Sequence, residues 1–198
     1  MSRWMSLLPA LWLASAAAGQ TDSGRAKQAY ERANALFEQK KLQESNAALD
    51  EALAADPKSV PALTLKAKIA ISAHRLDVAG DCLQRAVASD PASWYARFLL
   101  GYWYYLRNDS DHAVAELKIA RKLNPRDDRA ALYLGMTYER LGDKQRPLSY
   151  YEEAMRIEGA TGQPNPYTLL AYSRLLFSLG RLADCTRILN RAVALYPS

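Results

Sequence analysis

Apolar residues along this chain fall three and four apart in blocks of about thirteen residues, with short polar breaks between them. That spacing lines one face of an α-helix and predicts a succession of amphipathic helices. Tyr30, Ala33, Leu36 and Phe37 mark a first helix over 26–39. Leu49, Ala52 and Leu53 mark a second over 43–55, stopped by Asp56-Pro57. The densest block is 94–106, in which seven of thirteen residues are aromatic. Around it the pattern repeats every 34 residues: Gly101 steps to Ala67, Ala33 and Gly135, and Tyr104 to Tyr138, Ala70 and Leu36. A second small column runs through Ala52, Ala86, Ala120 and Ala154, and Pro57, Pro91 and Pro125 close three of the units. A period of this size marks stacked helical hairpins, each burying its apolar face only against its neighbours.

The register divides the chain into units at 26–59, 60–93, 94–127, 128–161 and 166–198. Ser59 is a candidate N-cap, and Pro61 falls in a first turn, where its missing N–H has no acceptor to serve. In the fourth unit Pro147 replaces the small residue seen as Ala79 and Ala113. A proline there requires the helix to begin near Asp143, so that it sits at the first turn. Gly159 replaces the closing proline, and 159–166 reads as a loop whose four extra residues shift the fifth unit to a displacement of 38. Residues 20–25 form a short polar lead-in with Asp22 and Ser23 available as caps. Before it, Arg3 precedes an apolar run from Leu7 to Ala18 and then small residues, so 1–19 reads as a secretory signal peptide cut among Ala16 to Gly19, with an uncleaved N-terminal anchor as the alternative. The run is shorter than the roughly 20 residues of a membrane span. The expected product is an exported protein, periplasmic or secreted, without a stable span.

Without its leader the chain carries 25 basic and 21 acidic side chains, a mild excess with no dense Lys/Arg run, so a nucleic-acid partner is not expected. His74 and His112 are the only histidines and fall in different units, in a hairpin turn and near the start of a second helix. Neither has the convergent neighbours of a triad or a zinc site. No phosphate loop or H-E-x-x-H occurs. The expectation is therefore no enzyme activity, no cofactor and no metal. Cys82 and Cys185 lie in the second and fifth units at packed columns and read as buried thiols rather than a disulfide.

The columns Leu100, Gly101, Tyr104, Ala113, Leu117, Ala120 and Pro125 resemble the tetratricopeptide repeat family over essentially all of 26–198. The resemblance implies an all-α, right-handed superhelical solenoid of about five helix-turn-helix hairpins that binds proteins or peptides, in a setting such as envelope assembly or secretion. In that family the first helix of each hairpin lines a concave groove. The corresponding positions are Lys27, Tyr30, Asn34 and Phe37; Pro61, Thr64, Lys68 and Ile71; Tyr95, Phe98, Tyr102 and Tyr105; Arg129, Leu132, Met136 and Glu139; and Tyr167, Leu170, Arg174 and Phe177. Eight of these twenty are aromatic, and four are basic against one acidic. From them the expected binding residues are Tyr30, Asn34, Phe37, Lys68, Tyr95, Phe98, Tyr102, Tyr105, Arg129, Tyr167, Arg174 and Phe177, an aromatic and weakly cationic groove. Tyr104, Tyr138 and Tyr151 fall in packed columns, and Trp103 reads as wedged between hairpins. Some family members clamp a partner's terminal carboxylate with a Lys and an Asn on the first unit and a basic pair on the third. Only Asn34 matches, since Tyr30, Tyr102 and Leu106 stand at the other positions. The alternative reading is a self-assembling subunit that makes a homo-oligomer through the C-terminal end, where Leu195 and parts of Ile188 or Val193 are expected to lack a covering hairpin.

Overall fold

The computed structural model describes residues 8–162 and 165–196, and the described residues form ten α-helices and no strand. They are α1 (Leu8–Glu38), α2 (Leu42–Ala55), α3 (Val60–Ser72), α4 (Leu76–Ser89), α5 (Trp94–Leu106), α6 (Ser110–Leu123), α7 (Asp128–Arg140), α8 (Arg146–Thr161), α9 (Pro166–Ser178) and α10 (Leu182–Leu195). Consecutive helices pair as five hairpins. They group into two compact units, Met1–Pro91 with two hairpins and Ala92–Ser198 with three.

Each hairpin turns the same way for a backbone reason. Lys40, His74, Asn108, Gly142 and Gly180 occupy one column of the repeat, and all five have φ between 55° and 79°. The following residue donates its N–H back across the end of the first helix, as Arg75 does to the Ala70 carbonyl (2.8 Å) and Asp109 to the Tyr104 carbonyl (3.0 Å). This is the left-handed helix stop that satisfies otherwise orphaned carbonyls.

Inside a hairpin the small column is where two helices touch. A Cβ at Gly101 would lie 2.7 Å from Leu117 Cγ, and one at Gly135 would lie 2.5 Å from Tyr151 Cε1. Ala33 and Ala67 occupy the same place opposite Leu49 and Leu83, all fully buried. The Ser45 hydroxyl, also buried, donates to the Ala33 carbonyl at 2.8 Å. Tyr138, Tyr151 and Trp103 are buried as their columns predict. Tyr104 is not: it stays partly exposed, its ring stacked on His112 at 4.9 Å. Both thiols are buried, Cys82 in the first compact unit and Cys185 in the second compact unit.

Three expected boundaries move, and one expected exposure does not hold. The lead-in 20–25 is helical, because α1 runs unbroken from Leu8 through the expected cleavage region, and Asp22 and Ser23 lie within it rather than capping it. Residues 1–7 of the expected leader lie outside the described residues. Helix α8 starts at Arg146, not near Asp143; the Asp143 carboxylate accepts from the N–H groups of Gln145 (2.8 Å) and Arg146 (2.9 Å), and Pro147 still falls in the first turn. Without a closing proline α8 continues through Gly159 to Thr161 and stops at Gly162 (φ 71°), so the connection is shorter than 159–166. The next helix is capped by Asn165, whose side chain accepts from Tyr167 N–H. Glu158 anchors this connection from below: buried, it accepts from Thr168 Oγ1 (2.5 Å) and from Asn165 N–H (3.1 Å). Finally, Ile188 is buried, whereas Val193 and Leu195 are exposed, because Ile188 turns into the α9–α10 interior.

Candidate functional site

The aromatic block becomes one helix, α5, whose first turn is held by Ser93 accepting from Ala96 N–H at 3.4 Å. Helical spacing sets Tyr95, Phe98, Tyr102 and Tyr105 along one stripe. The Tyr95 and Phe98 ring centroids are 6.3 Å apart and those of Phe98 and Tyr102 6.4 Å, with planes tilted by 24° and 6°. Tyr95, Tyr102 and Tyr105 are partly exposed. Phe98, expected to face outward, is only 5% exposed. Its column explains the correction: Thr64, Phe98 and Leu132 are all buried, whereas Leu170 in the last hairpin is 64% exposed.

Tyr133, on α7, is the residue that sequence reasoning missed. Its ring lies 4.7 Å from Tyr102, 5.5 Å from Tyr105 and 5.9 Å from Phe98. The only signal was an aromatic residue in a column that holds Glu31, Leu65, Leu99 and Ala171 in the other hairpins. Burial, and then the neighbouring phenols of Tyr102, Tyr105 and Tyr167, push its pKa up, so its hydroxyl remains a donor at any physiological pH.

Arginines close both ends of the stripe. Arg129 lies over Trp94, Tyr95 and Phe98, at 5.5, 5.4 and 4.9 Å from the ring centroids. Arg140 lies 3.9 Å over Tyr105 and donates to its carbonyl at 2.5 Å. Yet the surface is less cationic than its composition implies. Asp127 takes Arg129 in a fork with contacts of 2.7 to 3.1 Å. Burial disfavours the Arg129 charge, but these bonds more than offset it and raise the pKa. Arg174 is paired with Glu139 at 3.3 Å, and Glu139 also accepts from the Tyr151 hydroxyl. Among the described residues no carboxylate pairs with Arg140.

The other expected positions are distributed. Tyr167 and Phe177 on α9 are 73% and 68% exposed, and Arg174 is exposed between them. In the first unit Phe37 is partly buried under the Lys68 ammonium, 4.6 Å from its ring centroid, while Tyr30 is partly buried and Asn34 exposed. The histidines and thiols gather into nothing: among the described residues no group of three or more His, Cys, Asp or Glu is arranged to hold a metal. No described helix is long and apolar enough to cross a membrane.

Two family models, both described as tetratricopeptide repeat, match residues 36–100 and 104–164. No curated protein sequence matches the chain. Among solved structures, the fold is similar to that of pilF of Pseudomonas aeruginosa, at 17% identity and TM-score 0.80, covering 90% of this chain and 79% of that one. It is similar to TTC0263, a TPR protein of Thermus thermophilus, at 20% identity and TM-score 0.72, covering 87% and 92%. YrrB, described as a TPR protein with an unusual peptide-binding site, matches at 18% identity and TM-score 0.65, covering 86% of each chain.

Proposed function

Because the chain belongs to the tetratricopeptide repeat family, we propose that it is a protein-interaction scaffold holding a peptide or protein segment on the aromatic surface of α5 and α7. The observation that carries this is the continuous patch of partly exposed Tyr95, Tyr102, Tyr105 and Tyr133 around the buried Phe98. Rigid phenols offer large contact area at small entropy cost, the property of interface anchors. The peptide-binding description of YrrB, similar in fold, supports the same class of function. The leader pattern of residues 1–19 supports an exported protein, and a setting in envelope assembly or secretion rests on the family resemblance alone.

Affinity capture from periplasmic extract tests the surface. Proteins retained by the wild type are expected to be lost with Tyr102→Ala or Tyr133→Ala, each costing about 2 kcal/mol or more of binding. Retention by both variants, folded by circular dichroism, would move the site elsewhere. For export, the periplasmic protein is expected to begin between Ala17 and Thr21; a cytoplasmic form starting at Met1 would refute it. Self-association through α9 and α10 is a second reading, supported by the exposure of Leu170, Phe177 and Val193.

A further inference from the structure

We infer that the Tyr95–Tyr105 stripe of α5, completed by Tyr133, takes a proline-rich segment in the polyproline II conformation with an acidic residue at its Arg140 end. This rests on reading that surface as the peptide-binding one. Recognition of a peptide uses a small set of modes, and the geometry removes most of them. The described residues form no strand, so no sheet edge is available for strand addition. A helix laid in a groove needs open apolar pockets for its anchors, and the apolar floor here, Phe98 and Leu132, is already buried. Recognition of strongly acidic or phosphorylated motifs needs clustered free cations, whereas Asp127 and Glu139 occupy Arg129 and Arg174. What remains is a row of partly exposed phenols with little free charge.

A polyproline II helix has a repeat close to the spacing of that row. It repeats every three residues over about 9.3 Å. Tyr95 and Tyr102, seven residues and nearly two turns apart on one face of α5, are separated along the helix axis by about 10.5 Å. Prolines one turn apart on the ligand therefore meet Tyr95 and Tyr102, with Tyr105 and Tyr133 beside them. The polyproline backbone makes no internal hydrogen bonds, so its carbonyls are free to accept from phenol hydroxyls. Such a segment is also already extended, so it loses little freedom when it settles on a shallow surface. Arg140, stacked on Tyr105 and without a paired carboxylate among the described residues, supplies a cation at that end.

The test is fluorescence anisotropy of the full chain with three labelled probes: decaproline flanked by two glutamates, a glycine-serine decapeptide with the same flank, and an alanine-rich helical peptide of equal charge. The proline probe is expected to bind at least about tenfold more tightly than the other two. Tyr102→Ala and Tyr133→Ala are expected to weaken it about tenfold or more, and Tyr102→Phe, which keeps ring and packing, by much less. Arg140→Glu is expected to weaken it several-fold and to reverse its salt dependence. Equal affinity for the proline and glycine-serine probes would overturn the inference. If the helical probe wins and Tyr102→Ala abolishes its binding, the surface reading stands and the proline inference falls. If neither a probe nor a captured protein responds to Tyr102→Ala or Tyr133→Ala in a folded chain, both fall.

Discussion

At Gly135 a single methyl group would sit 2.5 Å from the edge of the Tyr151 ring, which is fully buried and cannot swing away. Gly135→Ala is therefore expected to destabilise the chain by about 1–3 kcal/mol, as overpacking of a tight interior does. The same column pairs Ala67 with Leu83 without conflict. Gly135→Ala combined with Tyr151→Leu is thus expected to be more stable than the sum of the two single changes, with a coupling of about 1 kcal/mol in denaturant unfolding; strict additivity would refute the close approach. Glu158 gives a second test at this scale. Burial raises its pKa from the ordinary 4.5, Thr168 and Asn165 pull it back in part, and Asp128 pushes it further up. A carboxyl whose folded pKa is raised contributes stability below its unfolded value and loses it as pH rises through the folded value. The stability difference between wild type and Glu158→Gln is therefore expected to fall as pH rises from about 4.5. A difference that grows with pH would show that the ionised form is the better fit. The sequence carried no hint of this residue's role, because the helix was expected to stop before the loop that Glu158 holds.

The hairpin is the unit at the next scale, and its turn carries an avoidable cost. Lys40 and His74 adopt φ of 61° and 55°, where a side chain is disfavoured by about 1–2 kcal/mol and glycine is not. Gly142 and Gly180 hold the same position in later hairpins. Lys40→Gly and His74→Gly are each expected to stabilise the chain by about 0.5–1 kcal/mol, less than the full strain because glycine also loosens the unfolded chain. The readout is the melting temperature, and a fall on either substitution would mean that the turn side chain makes a contact worth more than its strain. These helices were legible because their evidence is local: periodic apolar positions, and prolines after α2, α4 and α6. Two of the misplaced boundaries, the end of α8 and the start of α1, share one cause. A stop signal was weak or absent, so the helix ran until the backbone found a left-handed residue at Gly162, or, in α1, extended back through residues expected to cap it.

Across the chain, the column of Thr64, Phe98 and Leu132 is buried, and in the last hairpin Leu170 is left exposed with Tyr167, Phe177 and Val193. If this face mediates self-association, light scattering over a concentration series will show mass growth that Leu170→Asp removes without lowering the melting temperature, since an exposed side chain contributes little to folding. A constant monomer mass in the wild type would discard that reading. The number of hairpins, their 34-residue register, the small column and the abundance of aromatics on first helices were all determined by the sequence itself. Each depends on spacing within a repeat or on contact with an adjacent one, and such contacts recur at fixed offsets. Only the tertiary structure decided which aromatics face outward and what charge they keep. Phe98 is covered and Tyr133 joins the surface because of the particular side chains on the neighbouring hairpin. Arg129 is neutralised because it folds back on Asp127, the cap of its own helix, a rotamer choice that no periodicity encodes. Arg174 is neutralised because Glu139, 35 residues earlier, comes within reach only once the helices pack.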